Sequence, residues 1–193
     1  QLSNLGIGSN KYISAVEVDP TDADRVLVLA SNYSTYSIVF TDNGGQSWKR
    51  VAGNLEDNIA GGGNGPSMRT AEIAVIGGDT LYIVGGSTGL YATDKLEGND
   101  TEWTQIGTEI IGNVVVENIR YRESDGKLIV GTHGTGVYST IITSIYDVVP
   151  DLVGIKEMDD NTKISIFPNP ATDKAIVCLL YTSPSPRDPL GSR

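Results

Sequence analysis

The stretch TDNGGQSW, residues 41–48, has the form of a tight β-hairpin corner. Asn43-Gly44-Gly45 supplies the positive φ angles that a short hairpin turn requires, because glycine has no Cβ to clash. An Asp42 or Asn43 side chain bonds backbone N–H groups inside such a turn. The ring of Trp48 is placed to cover the turn and shield its backbone from water. The stretch therefore predicts a structural corner between two antiparallel strands.

Strand-like segments recur around and after this corner. They are short, rich in alternating apolar residues and separated by glycine-rich or polar turns. The first set comprises residues 12–18, 25–30, 36–40 and 48–51; the second 70–75, 80–85, 89–92 and 103–106; the third 114–121, 127–131 and 136–140, without a clear fourth strand. We also expect residues 1–5 to form the outer strand of a preceding sheet, and residues 56–69 to form a long loop.

The sets repeat one another. LYIVGGSTGLYAT (residues 81–93) matches LIVGTHGTGVYST (residues 128–140). The aromatic residue that ends the third strand falls at Phe40, Tyr91 and Tyr138, spaced by 51 and 47 residues. This period is typical of propeller blades. A β-sandwich, the alternative fold, explains the strands but not the repeat. The predicted fold is all-β, a partial β-propeller of about three four-stranded antiparallel blades.

The corner resembles the Asp-box, or BNR repeat, of sialidase-like β-propellers, whose pattern is S-x-D-x-G-x-T-W. Thr41, Asn43, Gly45, Ser47 and Trp48 stand at the five patterned positions. Asn43 departs mildly from the Asp of the pattern, since its amide oxygen still accepts hydrogen bonds. The resemblance implies that these five residues build the fold at the outer corner of a blade, away from any ligand. A second corner, residues 93–103, keeps only Trp103. We expect Trp48 and Trp103 to occupy equivalent corners of successive blades, each mostly buried.

Composition excludes several kinds of function. The chain of 193 residues carries a net charge of −10, and an acidic chain lacks the clustered Lys and Arg that phosphate contacts need. Nucleic acid and anionic membranes are therefore not expected partners. The longest apolar runs are too short to span a bilayer. The single cysteine, Cys178, allows no disulfide and no thiolate metal site.

The two ends of the chain carry separate expectations. Gln1 is not Met and no leader pattern follows it, and CLLYTSPSPRD (residues 178–188) resembles a translated sequencing adapter. Residues 178–193 are therefore set aside from fold reasoning, with a natural Ser/Pro-rich tail as the alternative. We expect the chain to be a fragment at both ends.

The segment before this tail carries a second resemblance. KISIFPNPATDKAIV (residues 163–177) resembles the start of the C-terminal sorting domain of the type IX secretion system, whose opening strand bears Y/F-P-N-P. Phe167, Pro168, Asn169 and Pro170 carry the match. The resemblance implies the type IX machinery as a partner, and a location outside a Gram-negative cell, secreted or on the outer-membrane surface.

No catalytic, cofactor-binding or metal-binding residue is predicted, and no cofactor. His133, the only histidine, lies in a glycine-rich turn, and one histidine does not build a metal site. A glycosidase needs two facing carboxylates, and the acidic residues here fall mostly in turns. Of the five arginines before residue 178, only Arg69 is expected in a ligand-facing loop.

These observations divide the chain into blades (1–140), a linker (141–162), a truncated sorting segment (163–177) and the adapter-like tail (178–193). The predicted function is a non-catalytic extracellular module that binds glycan or protein. The alternative is the C-terminal part of a glycoside hydrolase, sialidase-like or xyloglucanase-like, whose catalytic blades are missing. Whether the protein is an enzyme stays open at this point.

Overall fold

The structure, a computed structural model, describes residues 11–31, 35–58 and 65–148. The described residues belong to the unit that spans Gln1–Val153 and form three separate antiparallel sheets. The all-β prediction is confirmed, and the open array of sheets is that of a partial β-propeller. The predicted strand at residues 1–5, the linker beyond residue 148, the sorting segment and the tail lie outside the described residues.

Within the described residues, the first and second sheets have four strands each and the third has three. The first sheet contains β1 (Ile13–Asp19), β2 (Asp22–Ala30), β3 (Ile38–Thr41) and β4 (Lys49–Arg50). The second contains β5 (Met68–Ile76), β6 (Asp79–Gly86), β7 (Gly89–Thr93) and β8 (Thr104–Ile106). The third contains β9 (Val116–Arg122), β10 (Lys127–Thr132) and β11 (Gly136–Ile141). Short 3-10 turns occupy Gly53–Leu55, Gly98–Asp100, Glu123–Asp125 and Ile145–Asp147.

Within each sheet the strands follow the order of the chain, so each strand pairs with the next one along the sequence. Two hydrophobic cores lie between the sheets. The first joins the first sheet to one face of the second, and the second joins the other face of the second sheet to the third. The strands β1, β5 and β9 lie closest to one another across the sheets. We call them the inner strands.

The register of the three sheets is equivalent, which shows the repeat directly. The second and third strands of each sheet pair in the same way, and three matched pairs are Val26 with Thr41, Tyr82 with Thr93, and Leu128 with Thr140. By this register Val39, and not Phe40, holds the position of Tyr91 and Tyr138. Phe40 instead packs edge-on against Tyr82 of the second sheet, with ring centroids 5.9 Å apart.

A polar network also fastens the first sheet to the second. The guanidinium of Arg25 pairs with Asp19 at 2.9 Å, donates to the hydroxyl of Tyr82 and lies over the Tyr82 ring. The Asp19 side chain is fully buried, and its other oxygen accepts from the backbone N–H and hydroxyl of Thr21. A buried carboxylate needs such partners, because water no longer solvates it.

The outward faces of the two end sheets expose apolar side chains. Val16 and Val18 on the first sheet, and Ile129, Val137 and Ile141 on the third, are all more than a third exposed. Among the described residues, no helix is both long and apolar enough to cross a membrane.

Candidate functional site

The corner at residues 41–48 is held by its own side chains. The hydroxyl of Thr41 accepts hydrogen bonds from the backbone N–H groups of Asn43 (3.3 Å) and Gly45 (3.0 Å). The Asn43 amide oxygen accepts from the Ser47 backbone N–H at 3.0 Å, and its NH₂ group donates to the Ser47 hydroxyl at 2.7 Å. Gly44 and Gly45 both have positive φ. The four patterned polar and glycine positions thus meet in one hydrogen-bonded turn.

Trp48 lies over this turn, with its ring 3.5 Å from the position that a Cβ on Gly45 would take. Continuing the β3–β4 register by one residue places Trp48 opposite Thr41, on the outward face of the first sheet. The ring is half-buried and borders an open groove of about 340 Å³ that Val16, Val26 and Val28 also line.

The second corner keeps more of the pattern than the sequence indicated. Thr93 occupies the register position of Thr41, and its hydroxyl accepts from the backbone N–H two residues later, that of Lys95, at 3.3 Å. Trp103 lies opposite Thr93 by continuation of the β7–β8 register. Trp103 is buried, and its indole N–H donates to the Val51 carbonyl at 2.8 Å. Sequence reasoning missed Thr93, although it ends the repeated segment at residues 81–93.

Asn54 completes the contact between the first two sheets. Its side-chain oxygen accepts from the Trp103 backbone N–H at 2.8 Å, and its NH₂ group donates to the Trp103 carbonyl at 3.0 Å. The backbone approaches so closely here that a Cβ on Gly53 would lie 1.7 Å from the Thr101 carbonyl oxygen. The second corner therefore builds the fold by joining the first sheet to the second.

The inner strands present a different, accessible set of side chains. Each inner strand has an irregularity at the same register, where one extra residue interrupts the pairing. The extra residues are Ser14, Arg69 and Glu117, which we call the bulge row. A β-bulge re-aims a side chain and is common beside functional sites. The prediction that Arg69 lies in a loop was wrong, because Arg69 is the second residue of β5.

The bulge row combines a hydroxyl, a cation and a carboxylate. The Arg69 guanidinium lies 3.4 Å from the Glu117 carboxylate, and both side chains keep about two fifths of their surface exposed. This pair is long and solvated, so it is worth well below 1 kcal/mol. The Ser14 hydroxyl donates to the Leu29 carbonyl at 3.3 Å. The side chains of the bulge row are therefore polar and accessible, and their contacts within the protein are weak.

Three residues further along, the inner strands carry Glu17, Glu72 and Arg120, again at equivalent register. Arg120 reaches Glu72 at 3.4 Å, and only a tenth of the Glu72 side chain is exposed. Burial raises the pKa of Glu72, while the backbone N–H of Tyr121 and the Arg120 charge act to lower it. Burial and the neighbouring Glu72 charge also raise the pKa of Glu17. Sequence alone could not align these residues, because each belongs to a different sheet.

His133 lies in the β10–β11 turn, where its side chain is exposed and its backbone N–H donates to the Val115 carbonyl. Among residues 11–31, 35–58 and 65–148, no group of three or more His, Cys, Asp or Glu side chains could hold a metal ion. Phe167, Pro168, Asn169 and Pro170 lie outside the part of the chain that the structure describes.

Comparison with known proteins adds no assignment. No protein-family model matches this chain, and no curated protein sequence matches it.

Proposed function

We propose that this chain belongs to an extracellular β-propeller of the Asp-box, sialidase-like kind, and that it binds glycan or protein without catalysing a reaction. The bulge row carries the proposal. Three inner strands repeat one irregularity at one register, and each irregularity bears a different polar side chain. The Asp-box resemblance rests on the hydrogen bonds of Thr41, Asn43, Gly45 and Ser47, which that pattern would require.

The chemistry of the row suits sugars. Arg69 offers a planar guanidinium that binds carboxylates in a bidentate manner, and Glu117 and Ser14 offer acceptors and a donor for hydroxyl groups. Accessible polar groups on a rigid strand hold their positions better than groups on a loop. We therefore place a sugar that carries a carboxylate, such as a uronic acid unit, among the favoured ligands.

Binding is favoured over hydrolysis because the two buried acids of the inner strands, Asp19 and Glu72, already have structural roles. Asp19 pairs with Arg25. Glu72 is held by Arg120 and by the backbone of β9, which leaves it poorly placed to protonate a leaving group on a substrate. The glycoside hydrolase alternative needs two carboxylates that both reach the substrate.

The test measures binding of the purified chain to immobilised polygalacturonate and to an uncharged glucan. Arg69→Gln is expected to weaken binding to polygalacturonate at least tenfold. Arg122→Gln is the matched control, since Arg122 lies at the opposite end of an inner strand and pairs with Asp125. Equal binding by Arg69→Gln and the unmodified chain would refute the role of the row. Release of free sugar during the assay would favour the hydrolase alternative.

We further propose that the protein is exported by the type IX secretion system. The support is the Phe167-Pro168-Asn169-Pro170 motif in the sequence. Replacing these four residues with alanine in the complete protein is expected to retain it inside a type IX-competent host, as measured by immunoblotting of culture medium and cell fractions. Undiminished export of the alanine variant would show that the motif is coincidental.

A further inference from the structure

The outer part of the third sheet leaves a cleft against the second sheet, with a volume of about 330 Å³. Its lining is mostly apolar and includes Ile106 of β8, Ile111 of the turn that follows β8, and Leu128, Val130 and Tyr138 of the third sheet. The strand β11 borders the cleft, and among the described strands β11 pairs only with β10. An unpaired strand edge offers backbone N–H and C=O groups to another extended segment.

The same place between the first and second sheets is filled. There the fourth strand β8 pairs with β7, and Trp103, directly before β8, lays its ring against the first sheet. By register, Tyr138 and Thr140 in the cleft correspond to Tyr91 and Thr93 beside Trp103. Ile106, at the opposite wall, corresponds to Val51, whose carbonyl accepts the Trp103 indole N–H. The cleft thus corresponds by register to the site that the Trp103 ring occupies, but no described residue places an indole ring in it.

We propose that this cleft binds an extended segment of a partner polypeptide that bears an aromatic residue. The segment adds antiparallel to β11, as β8 adds to β7. Its aromatic ring enters the cleft, and an indole N–H would donate to the Ile106 carbonyl. Strand addition supplies affinity through the backbone, and the pocket supplies specificity for one side chain. The inference concerns the outer edge of the third sheet, so it is independent of the bulge row.

The described chain beyond β11 does not supply this ring. Ile142 and Val148 line the cleft with aliphatic side chains, and Tyr146 is half exposed and does not line it. An indole has a size suited to a slot of this volume, because Trp103 fills the equivalent slot in the same molecule.

The probe is the peptide TEWTQIG, which has the sequence of residues 101–107, labelled with fluorescein. Its binding to the full chain is measured by fluorescence anisotropy, and hydrogen exchange of the β11 amides is measured with and without it. The peptide is expected to bind and to slow exchange at the outward amides of β11. The variant peptide TEATQIG is expected to bind at least tenfold more weakly.

Two protein variants locate the site. Thr140→Phe places a ring at the cleft, because Thr140 is exposed there and lies on its wall, and is expected to weaken binding at least tenfold. Ile129→Phe places the same ring on the opposite face of the third sheet, and should bind as the unmodified chain does. Circular dichroism verifies that both variants fold.

Three results would overturn the proposal. The first is equal binding of TEWTQIG and TEATQIG. The second is equal binding by Thr140→Phe and Ile129→Phe. The third is strong protection of the outward β11 amides before any peptide is added, because the edge would then already be paired by another part of the chain. Should Thr140→Phe fail to fold, the peptide comparison and the exchange measurement still decide the outcome.

Discussion

Trp48 and Trp103 hold the same register position on the same face of two successive sheets, yet only Trp103 is covered. Trp103 is buried between its own sheet and the preceding one, where it donates to the Val51 carbonyl. Trp48 borders an open groove and is half-buried. The expectation that both rings are mostly buried was therefore right for Trp103 and too strong for Trp48. The difference follows from what lies in front of each sheet, because the two rings hold equivalent register positions and face the same way.

The first prediction compares these two rings. Trp103→Phe removes a buried hydrogen bond and part of a packed ring, so it should lower the free energy of unfolding by about 2–3 kcal/mol. Trp48→Phe should lower it by less than about 1 kcal/mol, since much of that ring already contacts water. Urea unfolding followed by circular dichroism measures both. Equal losses would contradict the proposed difference in covering.

The second prediction concerns close backbone contact between the sheets. Gly53→Ala places a Cβ against the Thr101 carbonyl and also forces alanine to a φ of +48°. Gly77→Ala is the matched control, with a φ of +63° and no atom within 4 Å of the added Cβ. The control should cost about 1–2 kcal/mol for the left-handed conformation alone. Gly53→Ala should cost clearly more, as measured by thermal unfolding. A loss no larger than that of the control would show that the two sheets separate readily at this point.

The third prediction concerns the first corner. Thr41→Val keeps the shape of the side chain but removes the acceptor for the Asn43 and Gly45 backbone N–H groups, which should cost about 1–2 kcal/mol of stability. Asn43→Asp keeps the oxygen that accepts from Ser47 and should change stability by less than about 0.5 kcal/mol. Chemical unfolding of the two variants provides the measurement. A larger loss for Asn43→Asp than for Thr41→Val would mean that the amide NH₂ group, and not the threonine hydroxyl, holds the turn.

The fourth prediction follows from the raised pKa of Glu72. An acid whose pKa is higher in the folded state favours folding while it is protonated, so its contribution is present below the ordinary value of 4.5 and is lost as pH rises through the folded pKa. Glu72→Gln should therefore flatten the fall in stability with rising pH above about 4.5. Glu102→Gln, at an exposed site, is the control. The free energy of unfolding is measured with urea across pH 4 to 8. An undiminished fall in stability with rising pH in Glu72→Gln would contradict the prediction.

Much of the fold could be predicted from the sequence because apolar and polar residues alternate along a β-strand with a period of two. The turns between strands favour glycine and asparagine. The strand positions, the corner at residues 41–48 and, up to residue 148, the lack of a fourth strand in the third set all follow from these local signals. The alignment of Phe40 with Tyr91 and Tyr138 was wrong by one residue, because it relied on the same local signals. A shift of one residue moves a side chain to the other face of a sheet, and an aromatic residue by itself does not reveal its face; the register places Val39 at the repeated position.

The site could be predicted less well, because its contacts join distant parts of the chain. Asn54 meets Trp103, Arg69 meets Glu117, and each pair is separated by nearly fifty residues. The residue types do not indicate these contacts, which form only because the sheets lie side by side. The bulges are equally hidden, since they arise from a mismatch in pairing and use three unrelated residues.

The repeated bulge has a consequence for how such a protein can diversify. The same shift in strand pairing occurs at Ser14, Arg69 and Glu117 in three sheets, while the side chains differ in size, charge and chemistry. The strand frame therefore accepts a hydroxyl, a cation or a carboxylate at this position, although Arg69 and Glu117 contact each other and would vary together. A library randomised at these three positions alone would explore new recognition properties on an unchanged scaffold, much as variable loops do on an antibody, but from rigid strands.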